Sequence, residues 1–309
     1  MFGKFFGKKK SANHKQNGRI ALSYGLKTTI FNTIGTRSVP PMPSAAQKAF
    51  QLATDPNADA RDFIEVIASD ESLSARVMKI ANSVYYDRGG GSKTIEDAVQ
   101  VIGIQELRSL LNACSLTEIF PSRHSARQQI WVNDVATGIA SRILASKLIP
   151  GKEDFAFLAG LMHDIGKLLL LQQAELKYSR VLTLVQQGKS FIEAEEETFA
   201  FNHTEVGALV AEKWKFDEEL IIAIQNHHEK SEIATGDLVT IDIARIVQIA
   251  DLTAHSLGLG HPKGFGVFQN KADAELSQLW EITKLGAEEL KLYKVNVKET
   301  FESEHEIYK

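Results

Sequence analysis

One stretch constrains the fold of this chain more than any other: FAFLAGLMHDIGKLLLL, residues 155–171. It is nearly all apolar, so folding must bury it. Yet His163, Asp164 and Lys167 sit in its middle. An unpaired charge in an apolar interior costs several kcal/mol, or shifts its pKa until it is neutral. The stretch approaches the ~20 residues of a membrane-spanning helix, but polar groups near its centre make a span a poor solution. The three groups therefore need partners from other parts of the chain.

Helical periodicity dominates elsewhere. Short breakers separate the helical segments: DPNAD (55–59), DRGGGS (87–92), FPSRHSA (120–126), LIPGKED (148–154), QQGKS (186–190) and EKSEIATGD (229–237). Strand-like alternation is scarce and no internal repeat is evident. These signals predict an all-α protein of about a dozen or more helices. The proline-rich VPPMPS (39–44) opens the folded part, and residues 1–38 read as a basic, flexible lead-in. Asp217 is placed to cap one helix, Asn202 another with Glu205 completing a capping box, and Asp70 or Ser72 a third.

Inward helix faces carry further polar groups. His203 shares a face with Val206 and Val210; His227 and His228 continue the stripe of Leu220, Ile221 and Ile224. Asp251 lies with Val247, Ala250 and Ala254. A lone inward histidine is ordinarily a hydrogen-bonded core residue. Packing alone gives no reason to collect several. Imidazole and carboxylate groups suit divalent ions, and groups converging from separate helices are how bundle-core metal sites are built. The His163–Asp164 pair is expected to reach an ion from one helix edge. One member of the acidic run EAEEE (193–197) is expected to hydrogen-bond a site histidine.

MHDIGK, residues 162–167, resembles the His-Asp signature of the HD superfamily of helical metal-dependent phosphohydrolases. Residues 40–86, above all RVMKIANSVYY, together with residues 193–228, resemble the HDOD branch, a bacterial signalling output domain. The likeness runs from about 39 to 228, more loosely to Asp251 and beyond. It implies a multi-helical HD-like bundle of two lobes, 39–125 and 126–238, with residues 239–309 completing the second. The implied ligands are His163, Asp164, His203, His227, His228 and Asp251, for a divalent metal such as Fe, Mn, Zn, Ni or Mg. Asn133, next to Asp134, falls where the family supplies its first histidine. An amide oxygen is the weaker ligand for Zn or Fe. The Gly-Tyr-Pro motif of the cyclic-dinucleotide hydrolases does not follow His163.

Three functions follow for weighing. The resemblance implies a regulatory module acting through a protein partner or a ligand such as a nucleotide. A phosphohydrolase would use the same cluster, with Asp164 and Lys167 as its catalytic candidates. Nucleic-acid binding is disfavoured by the net charge of −4. The single cysteine, Cys114, excludes an intramolecular disulfide and fits a reducing, cytoplasmic setting. The Phe- and Lys-rich MFGKFFGKKK lacks the apolar core of a secretory signal, and allows at most weak contact with a membrane surface.

Overall fold

Most of the breakers fall between two helices, and the helices between them carry the molecule. The computed structural model describes residues 15–16, 19–35, 39–55, 57–83, 85–86, 90–229, 241–260 and 266–308. A two-residue antiparallel pair, β1 (Lys15–Gln16) with β2 (Arg19–Ile20), is the only sheet among the described residues. Everything else regular is helical, as the periodicity predicts. The N-terminal ten residues and the loop 230–240 lie outside the described residues, as does most of the glycine-rich segment after Leu257.

The first lobe packs α2 (Ser44–Thr54), α3 (Ala60–Ala68), α4 (Glu71–Ala81), α5 (Ile95–Ile102) and α6 (Ile104–Ile119) against one another. Asp70 caps α4 by accepting from the Leu73 N–H, which settles that start in favour of Asp70. Leu73, Val77 and Ile80 are the buried face of α4.

The second lobe is built on α7 (Ser125–Leu148) and α8 (Glu153–Met162). Around them lie α9 (Ile165–Gln173), α10 (Glu175–Gln186), α11 (Phe191–Phe199), α12 (His203–Lys213) and α13 (Glu218–Asn226). Then α14 (Ile243–Ser256) packs on α7 and α8, α15 (Gly266–Trp280) on α14, and α16 (Ala287–Glu304) on α7. The two lobes meet where α2 and α6 touch α8. Asn202 and Glu205 form the expected capping box on α12. Asp217 stands at the start of α13 but its side chain makes no capping bond. Cys114, Trp131, Trp214 and Trp280 are all buried.

One boundary differs from the sequence reading. Residues within the predicted flexible lead-in fold as α1 (Tyr24–Ile34), which buries Ile30 and Ile34. Ser23 caps it and Lys27 bonds Glu212 of α12 at 2.8 Å. The Lys27–Glu212 bond sets α1 against α12, a tertiary contact that local composition does not announce.

Close helix contacts position the site. A Cβ on Gly166 would lie 2.0 Å from the His203 carbonyl oxygen, so only glycine lets α9 and α12 touch backbone to backbone. Nine large apolar side chains of the opening stretch, from Phe157 to Leu171, are buried or nearly so. Each contributes about 1.5–3 kcal/mol over the exposed state, enough together to hold a few paired polar groups in place.

Candidate metal centre

The His163–Asp164 pair sits at a break, not along one helix edge. Helix α8 ends at Met162 and α9 begins at Ile165. Asp164 adopts φ −101° and ψ 15°, between helical and extended values. This turns its carboxylate into the same space as the His163 imidazole. Their closest atoms, His163 Nε2 and Asp164 Oδ2, are 3.4 Å apart.

Other elements converge there. The first residue of α12, His203, brings Nε2 to 3.1 Å from Asp164 Oδ1. His227, just past the end of α13, brings Nε2 to 3.7 Å from the same oxygen. The ring of His228 lies 4.1 Å from that of His227 and 5.1 Å from that of His203. From α14, Asp251 places Oδ1 3.4 Å from His163 Nε2. The structure thus gathers His163, Asp164, His203, His227, His228 and Asp251. Ligand atoms of Asp164, His203, His227 and His228 lie within 4.8 Å of one another, as do those of Asp134, His163 and Asp164.

Hydrogen bonds behind the rings set which nitrogen faces inward. His163 Nδ1 donates to the Gly160 carbonyl at 2.7 Å and His227 Nδ1 to that of Ile224 at 2.8 Å. His203 Nδ1 donates to Glu195 Oε2 at 2.6 Å, and that oxygen also accepts the His203 N–H. Each Nδ1 being occupied as a donor leaves Nε2 as the lone pair in a neutral ring. The Nε2 atoms of His203 and His227 face each other at 3.4 Å. Two lone pairs at that distance repel unless a proton or cation lies between them.

Protonation states fit the same picture. Burial holds His203 and His228 well below the usual imidazole range, and His227 below it, so all three are neutral near pH 7. Burial raises the Asp164 carboxyl, but His163, Lys167 and His203 outweigh it and bring it well below its ordinary value. Asp251 is lowered likewise against burial, chiefly by His255 and His163. His163 alone is cationic: burial opposes its charge, but Asp164 and Asp251 lift its pKa to about 9. Neutral imidazoles and ionised carboxylates are the forms that ligate metals.

The residues therefore fit a divalent cation. His163 Nε2, Asp164 Oδ1, Asp251 Oδ1 and His228 Nε2 are shielded from solvent and make no hydrogen bond among the described residues. Orphaned buried polar atoms of this kind ordinarily cost about 1–3 kcal/mol each. Four such atoms in one cluster, with His163 Nε2 and Asp251 Oδ1 3.4 Å apart and Asp164 grouped with His228, are what an ion would satisfy.

Two sequence candidates stand apart from that set. Lys167 donates to Asp164 Oδ2 at 2.5 Å, and its Nζ lies 4.2 Å from the centre of the Phe191 ring. Its charge is committed to a core acid. Asn133 lies on α7, donates to the Leu259 carbonyl at 3.4 Å, and has Gly260 packed against its backbone. With Asp164, Lys167, Phe191 and His255 it lines a narrow cavity of about 30 Å³.

Two supporting residues were outside the predicted set, Asp134 and His255, and a third, Glu195, is the expected member of the acidic run. Asp134, wholly buried, places Oδ1 3.7 Å from His163 Nδ1, and burial raises its carboxyl well above the ordinary range. His255 sets Nε2 3.1 Å from Asp251 Oδ1. Glu195 is the member of the acidic run that holds His203; burial raises its carboxyl to about 8, with Lys167 pulling the other way. Signals for two existed: His255 follows Asp251 by one helical turn, and Glu195 precedes the buried Phe199 by one.

Comparison with known proteins now has a geometry to meet. The family model of the HDOD domain matches residues 39–230. The chain belongs to the HDOD family. An HDOD domain protein from Geobacter sulfurreducens has a similar structure, with a TM-score of 0.65 and 25% identity over 87% of this chain and 91% of that one. A protein described as a candidate phosphohydrolase, from Shewanella amazonensis, shares the fold with a TM-score of 0.63 and 22% identity over 91% and 95%. Among curated relatives, an uncharacterized protein of Treponema pallidum is 24% identical over 195 residues, 62% of this chain and 37% of its own length. Ribonuclease Y of Mycoplasma pneumoniae is 28% identical over 198 residues, 60% of this chain and 32% of that protein. This HDOD chain spans about a third of the length of those two relatives. No helix among its described residues is long and apolar enough to cross a membrane.

Proposed function

We propose that this HDOD protein is a regulatory module built on a divalent-metal centre, and that it signals by binding a protein partner or ligand. A bound ion would cross-link the α8–α9 junction with α12, α13 and α14, and in a hydrolase it would also activate a water. What carries the regulatory reading is the α7 wall. The family resemblance puts Asn133 at the place of the first histidine, and its amide is tied to the Leu259 carbonyl. The cavity beside it, about 30 Å³, has room for little more than water. Substrate sites usually offer about 300–1,000 Å³. Lys167, the candidate for neutralising a phosphate, already neutralises Asp164. The single cysteine and the acidic net charge support a cytoplasmic protein that does not bind nucleic acid.

A phosphohydrolase is the second reading. The His and Asp set favours it, and so does the likeness to ribonuclease Y and to the candidate phosphohydrolase of Shewanella amazonensis. One assay separates the two. The chain loaded with Mn, Fe(II) or Zn is given a chromogenic phosphomonoester, a phosphodiester and single-stranded RNA. The regulatory reading expects no turnover above the metal alone. Turnover abolished by Asp164→Asn, with the helical signal unchanged, would establish the hydrolase instead.

A further inference from the structure

A second cavity lies away from the metal centre, at the seam between the lobes. Its volume is about 660 Å³, within the range of small-molecule sites. One wall is α4 and the turn after it: Arg76, Lys79, Ile80, Ser83 and Tyr85. Across from them stand Ser303, Glu306 and Ile307, from the end of α16 and the following 3-10 turn, His305–Tyr308.

The chemistry of the lining is mixed in an ordered way. Arg76 and Lys79 are one helical turn apart, so both cations project from the same face of α4. Against them stands one carboxylate, Glu306, which leaves a net charge of one positive (two cations less one anion). Lys79 makes no ion pair among the described residues. Ser83 Oγ is shielded from solvent and lacks a hydrogen-bond partner among them. Tyr85 is 53% exposed, unusual for so large a ring. Its ring stands edge-on to that of Tyr86, at 4.7 Å between centres, which fixes its plane and offers a face to a ligand. Ile80 and Ile307 supply apolar floor.

We infer that this inter-lobe cavity binds a small phosphorylated molecule with a flat ring, of about the size of a nucleoside monophosphate. Lys79 receives the phosphate as a point charge, and Arg76 adds a second positive charge from the same helix face. Tyr85 stacks on the ring. Ser83 and Ser303 reach hydroxyl groups between the two. Such a ligand touches both lobes at once, and so tightens the seam. The inference does not depend on the metal reading, because no residue of the metal centre lines this cavity.

Calorimetry on the full chain tests it, with adenosine monophosphate, adenosine and inorganic phosphate as probes. The nucleotide is expected to bind more than tenfold tighter than either fragment. Arg76→Ala and Lys79→Ala should each weaken it about tenfold, Tyr85→Ala severalfold, and His227→Gln not at all. Lys79 is exposed and Arg76 half-buried, and an unchanged melting temperature without ligand confirms that both variants fold. Absence of nucleotide binding at millimolar concentration would overturn the proposal. So would nucleotide binding that survives Arg76→Ala with Lys79→Ala, or that disappears in His227→Gln. Phosphate binding as tightly as the nucleotide would also overturn it, by leaving Tyr85 no part.

Discussion

At the scale of residues, the balance turns on Asp164 and His163. Asp164 touches Lys167, His163, His203 and His227, so one carboxylate answers four groups. His163 Nε2 lies between Asp164 and Asp251, at 3.4 Å from each. With protein charges alone its pKa rises from 6.5 to about 9. A raised value contributes stability that is full below pH 6.5 and lost as pH climbs through about 9. A metal must displace the same proton, so its affinity gains over that window. Melting curves of metal-free and Zn-loaded protein between those limits should therefore diverge, the metal-free midpoint falling and the metal-induced gain growing. A gain that shrinks as pH rises would show that His163 does not ligate. These two residues were legible because a charge in an apolar run demands a partner. Asp134 and Glu195 were harder to find, since each adjoins other polar residues and only tertiary contact tells which one turns inward.

At the scale of elements, the helices and most of their ends follow from local chemistry. Breakers rich in glycine, proline and aspartate separate them, and capping boxes at Asp59, Thr94, Ser190 and Asn202 start four of them. The break between α8 and α9 was not visible. No proline or glycine marks it; Gly166 comes two residues after Asp164, inside α9. Tertiary demand for the pair's two side chains decides it. Gly166 serves the α9–α12 contact instead. Gly166→Ala should cost about 3 kcal/mol, the upper end for overpacking against a rigid neighbour. It should also weaken metal binding, by pushing His203 away from Asp164. Urea denaturation with a parallel metal titration measures both. A variant as stable as the parent, with full affinity, would refute this account of the contact.

At the scale of the whole molecule, the centre is assembled from segments far apart in sequence, with Asp251 of α14 more than 80 residues beyond the His-Asp pair. The two-lobe, all-helical architecture was legible in the sequence through its periodicity and its family likeness. The packing of α1 on the second lobe was not, because a short helix is placed by the surface it meets. The C-terminal helices close the second lobe: Tyr293 donates to the Ala140 carbonyl at 2.9 Å, and Trp131 to that of Tyr308 at 2.9 Å. α7 is thereby clamped beside His163. The molecule as a whole then reads as a helical body around a polar centre whose donors suit a divalent cation. Metal analysis of protein purified without chelators, then dialysed against trace Mn, Fe(II) and Zn, tests this most directly. The account predicts at least one tightly held divalent ion per chain, lost in His227→Gln while the helical signal remains. A parent protein that retains none after that dialysis, yet stays folded, would contradict it.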